Sequence, residues 1–144
     1  MNSYTKLPLV IEPADLHAVL NQENLLIIDL ACQEETYLLG HVPGAVYLPS
    51  GAMIHGEKPT PGMLPTEEKL KQLVDYLGIT PETHIVVYDD EGGGWAGRMI
   101  WTLDIVGHSN YSYLNGGIHA WIADGFETQT TVNMPFSKIG RAHV

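Results

Sequence analysis

The chain has 144 residues, 44% of them apolar and 17% charged, which suits one globular domain and excludes a disordered, collagen-like or coiled-coil chain. Seventeen Asp and Glu against seven Lys and Arg give a formal net charge of −10, which argues against a nucleic-acid face and against an anionic membrane surface. The lone cysteine, Cys32, excludes an internal disulfide and a cysteine-rich zinc site. No apolar run nears the ~20 residues of a membrane helix, and the N-terminal stretch through Pro13 has no signal-peptide core, so we expect a cytoplasmic protein.

Pro and Gly divide the chain into short units. Leu9-Val10-Ile11 is long enough only for an edge strand or an extended lead-in. Pro13 suits a first helical turn, and Leu16, Val19 and Leu20 share one face of a helix over Ala14 to Asn21. Leu25 to Leu30 is a nearly continuous apolar run, the pattern of a strand buried on both faces. Glu34 to Leu39 is a short helix stopped by Gly40. A turn over residues 41–45 then leads into a strand from Val46 to Leu48. Residues 49–65 hold Pro and Gly without periodicity and read as a surface loop.

Thr66 caps a helix whose buried stripe is Leu70, Leu73, Val74 and Leu77, with Gly78 ending it. His84 to Tyr88 is the next buried strand, Asp89 to Gly94 a loop, and Trp95 to Val106 a helix. Tyr111 to Leu114, a turn at Asn115-Gly116-Gly117, and a helix from Ile118 to Asp124 complete the series. Strands alternate with helices throughout, which implies a parallel sheet covered by helices on both faces. Residues 1–136 form this domain. The tail 137–144 breaks its character, and Lys138 to Val144 resembles a translated sequencing adapter; we expect an artefactual or truncated C-terminus there.

Active sites of parallel α/β sheets lie at the carboxyl ends of strands, so the segment Asp89-Asp90-Glu91-Gly92-Gly93-Gly94-Trp95-Ala96-Gly97-Arg98 is the first candidate. Its glycines could cradle an anion, but three acids precede them and would repel a phosphate. GxxxxGK[ST] is absent, and Gly92, Gly94 and Gly97 match GxGxxG by position alone. The acids could hold a divalent cation; the favoured reading is that they cap the following helix and face solvent. Cys32 has acidic neighbours that oppose a thiolate, so it reads as buried or incidental. The seven histidines show no paired ligand spacing, and most read as surface or turn residues; no metal site and no cofactor is expected.

Several segments in order resemble the rhodanese-like sulfurtransferase family. They are Asp29-Leu30, Tyr37, Gly40-His41-Val42-Pro43-Gly44-Ala45, Val86-Val87-Tyr88-Asp89, and Tyr113-Leu114-Asn115-Gly116-Gly117 with Trp121. Ala31 stands where many members carry Arg. The segments from Tyr88 to Arg98 and from Tyr113 to Gly117 are most similar to the N-terminal domain of tandem-domain bacterial thiosulfate sulfurtransferases. The resemblance implies a rhodanese-like fold. It also implies that a separate C-terminal domain carries the catalytic cysteine, which takes sulfane sulfur from thiosulfate as a persulfide and passes it to a thiophile such as cyanide.

Asp89 stands where that cysteine would be, and a carboxylate cannot form a persulfide. The resemblance therefore implies a non-catalytic scaffold domain that packs against its catalytic partner, with the pocket for small sulfur anions in the cleft between the two domains of the full enzyme. Asp89, Asp90, Trp95 and Arg98 are the pocket or interdomain candidates. Trp95 either walls the interdomain cleft or is a plain core residue at a helix start, and Arg98 either pairs with Asp89 or Asp90 to hold the loop or contacts the ligand. Gly116 and Gly117 serve a turn with positive φ. The alternatives are a stand-alone rhodanese-like module that binds a protein, and an enzyme using Cys32. A phosphatase of this general fold would need the absent loop cysteine.

Overall fold

The computed structural model describes residues 7–53, 55–57, 60–63 and 66–135; the tail 137–144 lies outside them. Among the described residues the strands are β1 (Val10–Ile11), β2 (Leu25–Asp29), β3 (Val46–Tyr47), β4 (His55–Glu57), β5 (Thr60–Met63), β6 (His84–Tyr88) and β7 (Tyr111–Leu114). The α-helices among those residues are α1 (Pro13–His17), α2 (Glu34–Leu39), α3 (Glu67–Leu77), α4 (Gly94–Ile105) and α5 (Gly117–Ala123). The main sheet runs β1-β7-β6-β2-β3, and every pairing in it is parallel. Parallel neighbours need crossovers, and these are the helices.

Alternation along the central strands sends side chains to both faces. Ile27, Val86 and Tyr88 meet Leu16 of α1, Tyr37 of α2, and Ile118 and Trp121 of α5 in one core. Ile28, Ile85 and Val87 meet Leu73 and Leu77 of α3, and Ala96, Met99 and Leu103 of α4, in the other. This is the expected α/β architecture with helices on both faces. All five residues of β6 are buried, which is why its apolar run is unbroken.

Local signals set the helix ends. The Thr66 hydroxyl oxygen accepts the Lys69 N–H (3.2 Å), and Gly78 closes α3 at φ +69°. Two expectations are corrected. Helix α1 ends at His17 and not at Asn21; its remaining apolar residues, Val19 and Leu20, reach the core from turns. The stretch 49–65 is more than a loop. It contains a 3-10 turn (Ser50–Met53) and the antiparallel ribbon β4-β5, which is separate from the main sheet and so carries no core alternation to betray it.

Beyond α5 the chain returns to the β3 edge. Gln129 exchanges main-chain hydrogen bonds with His41 (3.0 and 2.8 Å), and its Oε1 accepts the Gly44 N–H (2.9 Å). The Asn133 amide donates to the Ala45 carbonyl (3.0 Å), and its main-chain N–H donates to the Tyr37 hydroxyl (3.1 Å). His41 is fully buried, its ring stacked on Tyr37 at 3.9 Å. His84 is also buried, beside Asn110 and Ser112. These two histidines are interior groups with polar partners, exceptions to the surface or turn positions expected of most.

Gly117 has φ +57°, and a Cβ there would lie 2.1 Å from the Asp89 carbonyl oxygen; Gly125 has φ +85° with open space around it. Gly117→Ala should therefore destabilise the fold by roughly 2–4 kcal/mol, and Gly125→Ala by about 1 kcal/mol, in urea unfolding followed by circular dichroism.

Candidate functional site

Strand β2 leads through α2 outward to β3, whereas β6 leads through α4 the opposite way to β7. The loops that leave β2 and β6 diverge at the point where neighbouring strands turn apart, the place where parallel sheets form ligand crevices. Asp29 ends β2, and Asp89 follows β6 beside it.

The sheet below this crevice is tied by a buried polar chain. Tyr88 donates its hydroxyl hydrogen to Asp29 Oδ2 (2.7 Å), and its oxygen accepts the Val42 N–H (3.1 Å). Asp29 Oδ1 accepts the Ala31 N–H (2.8 Å). Burial raises the Asp29 carboxyl above its ordinary value, against the lowering effect of these hydrogen bonds. Burial, followed by the Asp29 charge, holds the Tyr88 phenol well above its usual range. Resemblance marked Asp29 from sequence, but its bridge through Tyr88 to Val42 spans 59 and 46 residues and had no local signal.

Asp89 is 2% exposed. Its Oδ1 accepts the N–H groups of Glu91 (3.0 Å) and Gly93 (2.9 Å), and its Oδ2 accepts that of Ala96 (2.9 Å). Gly93 is the N-cap of α4 and has no side chain to close the helix. Asp89, four residues earlier, supplies the missing acceptor and places negative charge at the positive end of the helix. The capping expectation holds for Asp89, but the expectation that it faces solvent is corrected, because three main-chain donors draw it inward. Glu91 is exposed and Asp90 half-buried.

Asp90 Oδ1 accepts the Cys32 N–H (3.2 Å), joining the loops after β2 and β6. The Asp90 carbonyl lies 3.0 Å from His119 Nε2. Cys32 is exposed rather than buried. Main-chain donors to Asp89 and Asp90 hold the loop. The Arg98 guanidinium lies over the Trp101 ring, 4.8 Å from its centre. Trp95 is half-buried and packs against the core under α4. Gly117 completes the floor, with the Ile118 N–H reaching the Asp89 carbonyl (3.4 Å). Among the described residues no group of three or more His, Cys, Asp and Glu could hold a metal ion, and no helix is long and apolar enough to cross a membrane.

Asp89→Ala leaves three donors at the head of α4 without their acceptor and should destabilise by about 3 kcal/mol; Asp89→Asn, which keeps one oxygen, should lose roughly half of that in the same urea titrations. Asp29 has the opposite pH signature to a salt-bridged acid. Its folded-state pKa is raised, so the native state binds its proton more tightly, and its contribution falls as pH rises above the ordinary value of 3.8. The stability of Asp29→Asn relative to the parent should therefore improve between pH 4 and pH 7, as read by unfolding at a series of pH values.

A family model described as Rhodanese-like domain matches residues 12–124. The chain is 47% identical over 135 residues to a thiosulfate sulfurtransferase of Pseudomonas aeruginosa, covering 94% of this chain and 49% of that protein. It is 49% identical over 124 residues to one of Azotobacter vinelandii, covering 86% and 45%. The chain thus spans about half the length of these curated relatives. The crystal structure of SseA from Escherichia coli, a 3-mercaptopyruvate sulfotransferase, superposes with a TM-score of 0.81 at 26% identity, covering 91% of this chain and 53% of that one. With the parallel sheet, the Gly-Gly turn and the loop after β6 all in place, the chain belongs to the rhodanese-like domain family.

Proposed function

We propose that this chain is the non-catalytic N-terminal domain of a two-domain cytoplasmic thiosulfate sulfurtransferase, and that a C-terminal rhodanese domain supplies the cysteine. Sulfane sulfur would pass from thiosulfate to that cysteine and on to a thiophile such as cyanide. The single observation that carries this reading is the state of the loop after β6. In a catalytic rhodanese domain its inward N–H groups would stabilise a thiolate and then a persulfide. Here the Asp89 carboxylate takes the N–H groups of Glu91, Gly93 and Ala96. That carboxylate supplies no sulfur nucleophile, and its charge opposes entry of thiosulfate into the same space.

The relatives' length supports the rest, since a span about as long as this chain lies outside the match in both bacterial sulfurtransferases. The loop around Asp89 and Asp90, with Trp95 and Arg98 on the helix that follows, would then border the partner domain. Cys32 is the competing nucleophile, because it is exposed and its main chain touches Asp90. Its loop offers no such set of inward donors among the hydrogen bonds of the described residues.

Thiocyanate formation from thiosulfate and cyanide is the test. The chain alone should give no turnover above the uncatalysed rate, and Cys32→Ala should change nothing. Turnover by the chain that disappears in Cys32→Ala would overturn the proposal and make Cys32 the nucleophile.

A further inference from the structure

Resting on that reading, we infer that the outward face of α4, centred on Trp101 and Ile105, together with the groove beside it, is the surface on which the second rhodanese domain docks. Helices α3 and α4 cover the same face of the sheet, yet their outer sides differ. The outer positions of α3 are Glu67, Glu68, Lys71, Gln72, Asp75 and Tyr76, a polar face of the kind a solvated helix presents. Those of α4 are Gly94, Gly97, Trp101, Asp104 and Ile105, with a single charge among them. Trp101 is 46% and Ile105 43% exposed.

The apolar strip continues sideways. Between α4 and the β1–β7 edge lies a groove of about 330 Å³, walled by Leu9, Val10, Ile100, Tyr111 and Tyr113 and floored by glycines. Gly97 lies one turn from Trp101 on the same helix surface, which joins groove and helix face. Gly92 and Gly97 have open space where a Cβ would stand, so a partner can approach the main chain there. The Arg98 guanidinium on the Trp101 ring adds an aromatic–Arg pair of the type enriched at the centres of protein interfaces.

Two observations choose the occupant. The strip begins at the loop after β6, so a domain seated on it would bring its own substrate pocket to the carboxyl ends of these strands. The thiosulfate sulfurtransferases of Pseudomonas aeruginosa and Azotobacter vinelandii also hold about as much chain again as the part matched here. The other exposed apolar side chains are Leu38 and Leu39 at the end of α2, Tyr76 on α3, Ile122 on α5, and Val132 and Met134 beyond Gln129; none of them lines the groove beside α4.

The test joins this chain through Pro135 to the second half of the Azotobacter vinelandii relative and compares the fusion with the chain alone. Hydroxyl-radical labelling of Trp101 should slow at least fivefold in the fusion. Trp101→Glu combined with Ile105→Glu should lower thiosulfate:cyanide turnover of the fusion at least tenfold, while leaving the circular dichroism of the chain alone unchanged. Ile122→Glu, on exposed α5, should leave turnover as it was. A fusion that turns over with Trp101 labelled as fast as before, and with protection at Leu39 or Met134, would overturn the choice of face while the scaffold reading stands. Turnover by the chain alone would overturn both.

Discussion

A carboxylate held by three main-chain N–H groups organises the functional end of this domain. Asp89 sits where β6 stops and α4 has not yet begun, and it supplies the cap that Gly93 lacks. Its side chain fixes the loop from above, and its own carbonyl is met from below by the turn at Gly117. The charge-assisted hydrogen bonds are worth more than their neutral equivalents and are made inside a nearly solvent-free pocket. The geometry that would cradle an external anion or a sulfur atom is thereby satisfied from within.

The lower half of the crevice depends on a second buried acid with different chemistry. Asp29 is stabilised by Tyr88 and Ala31 but is raised by burial, whereas Asp89 gathers donors from its own loop. Tyr88 is the joint between them: its main chain leads into Asp89, and its hydroxyl links Asp29 to the turn at Val42. The carboxyl ends of β2 and β6 and the turn before β3 therefore form one polar unit between two apolar cores.

Much of this was legible in the sequence. The strands of the central sheet wrote themselves as continuous apolar runs because both faces are covered. Thr66 and Gly78 marked α3 because caps are local chemistry, and Gly117 declared its turn because positive φ and close approach exclude a side chain. The unread parts were those without a local signature. The β4-β5 ribbon lies off the main sheet. The burial of Asp89 depends on donors at Glu91, Gly93 and Ala96, spread over a loop and a helix start that, by composition, read as solvated. His41 and His84 are interior because Tyr37, Asn110 and Ser112 meet them from other elements. The Arg98 guanidinium lies over an aromatic face three residues along its own helix.

The return of the chain along the β3 edge has a consequence for where this domain physically stops. The family match ends at residue 124, yet Gln129 and Asn133 satisfy the main-chain groups of His41, Gly44 and Ala45, and Asn133 also meets the buried Tyr37 hydroxyl. These residues act as a lacing over a strand only two residues long. A boundary drawn at the end of the family match would cut the lacing and leave the β3 edge open to pairing with other chains. The packed unit is longer than the span 12–124 of that match, and it includes Gln129 and Asn133.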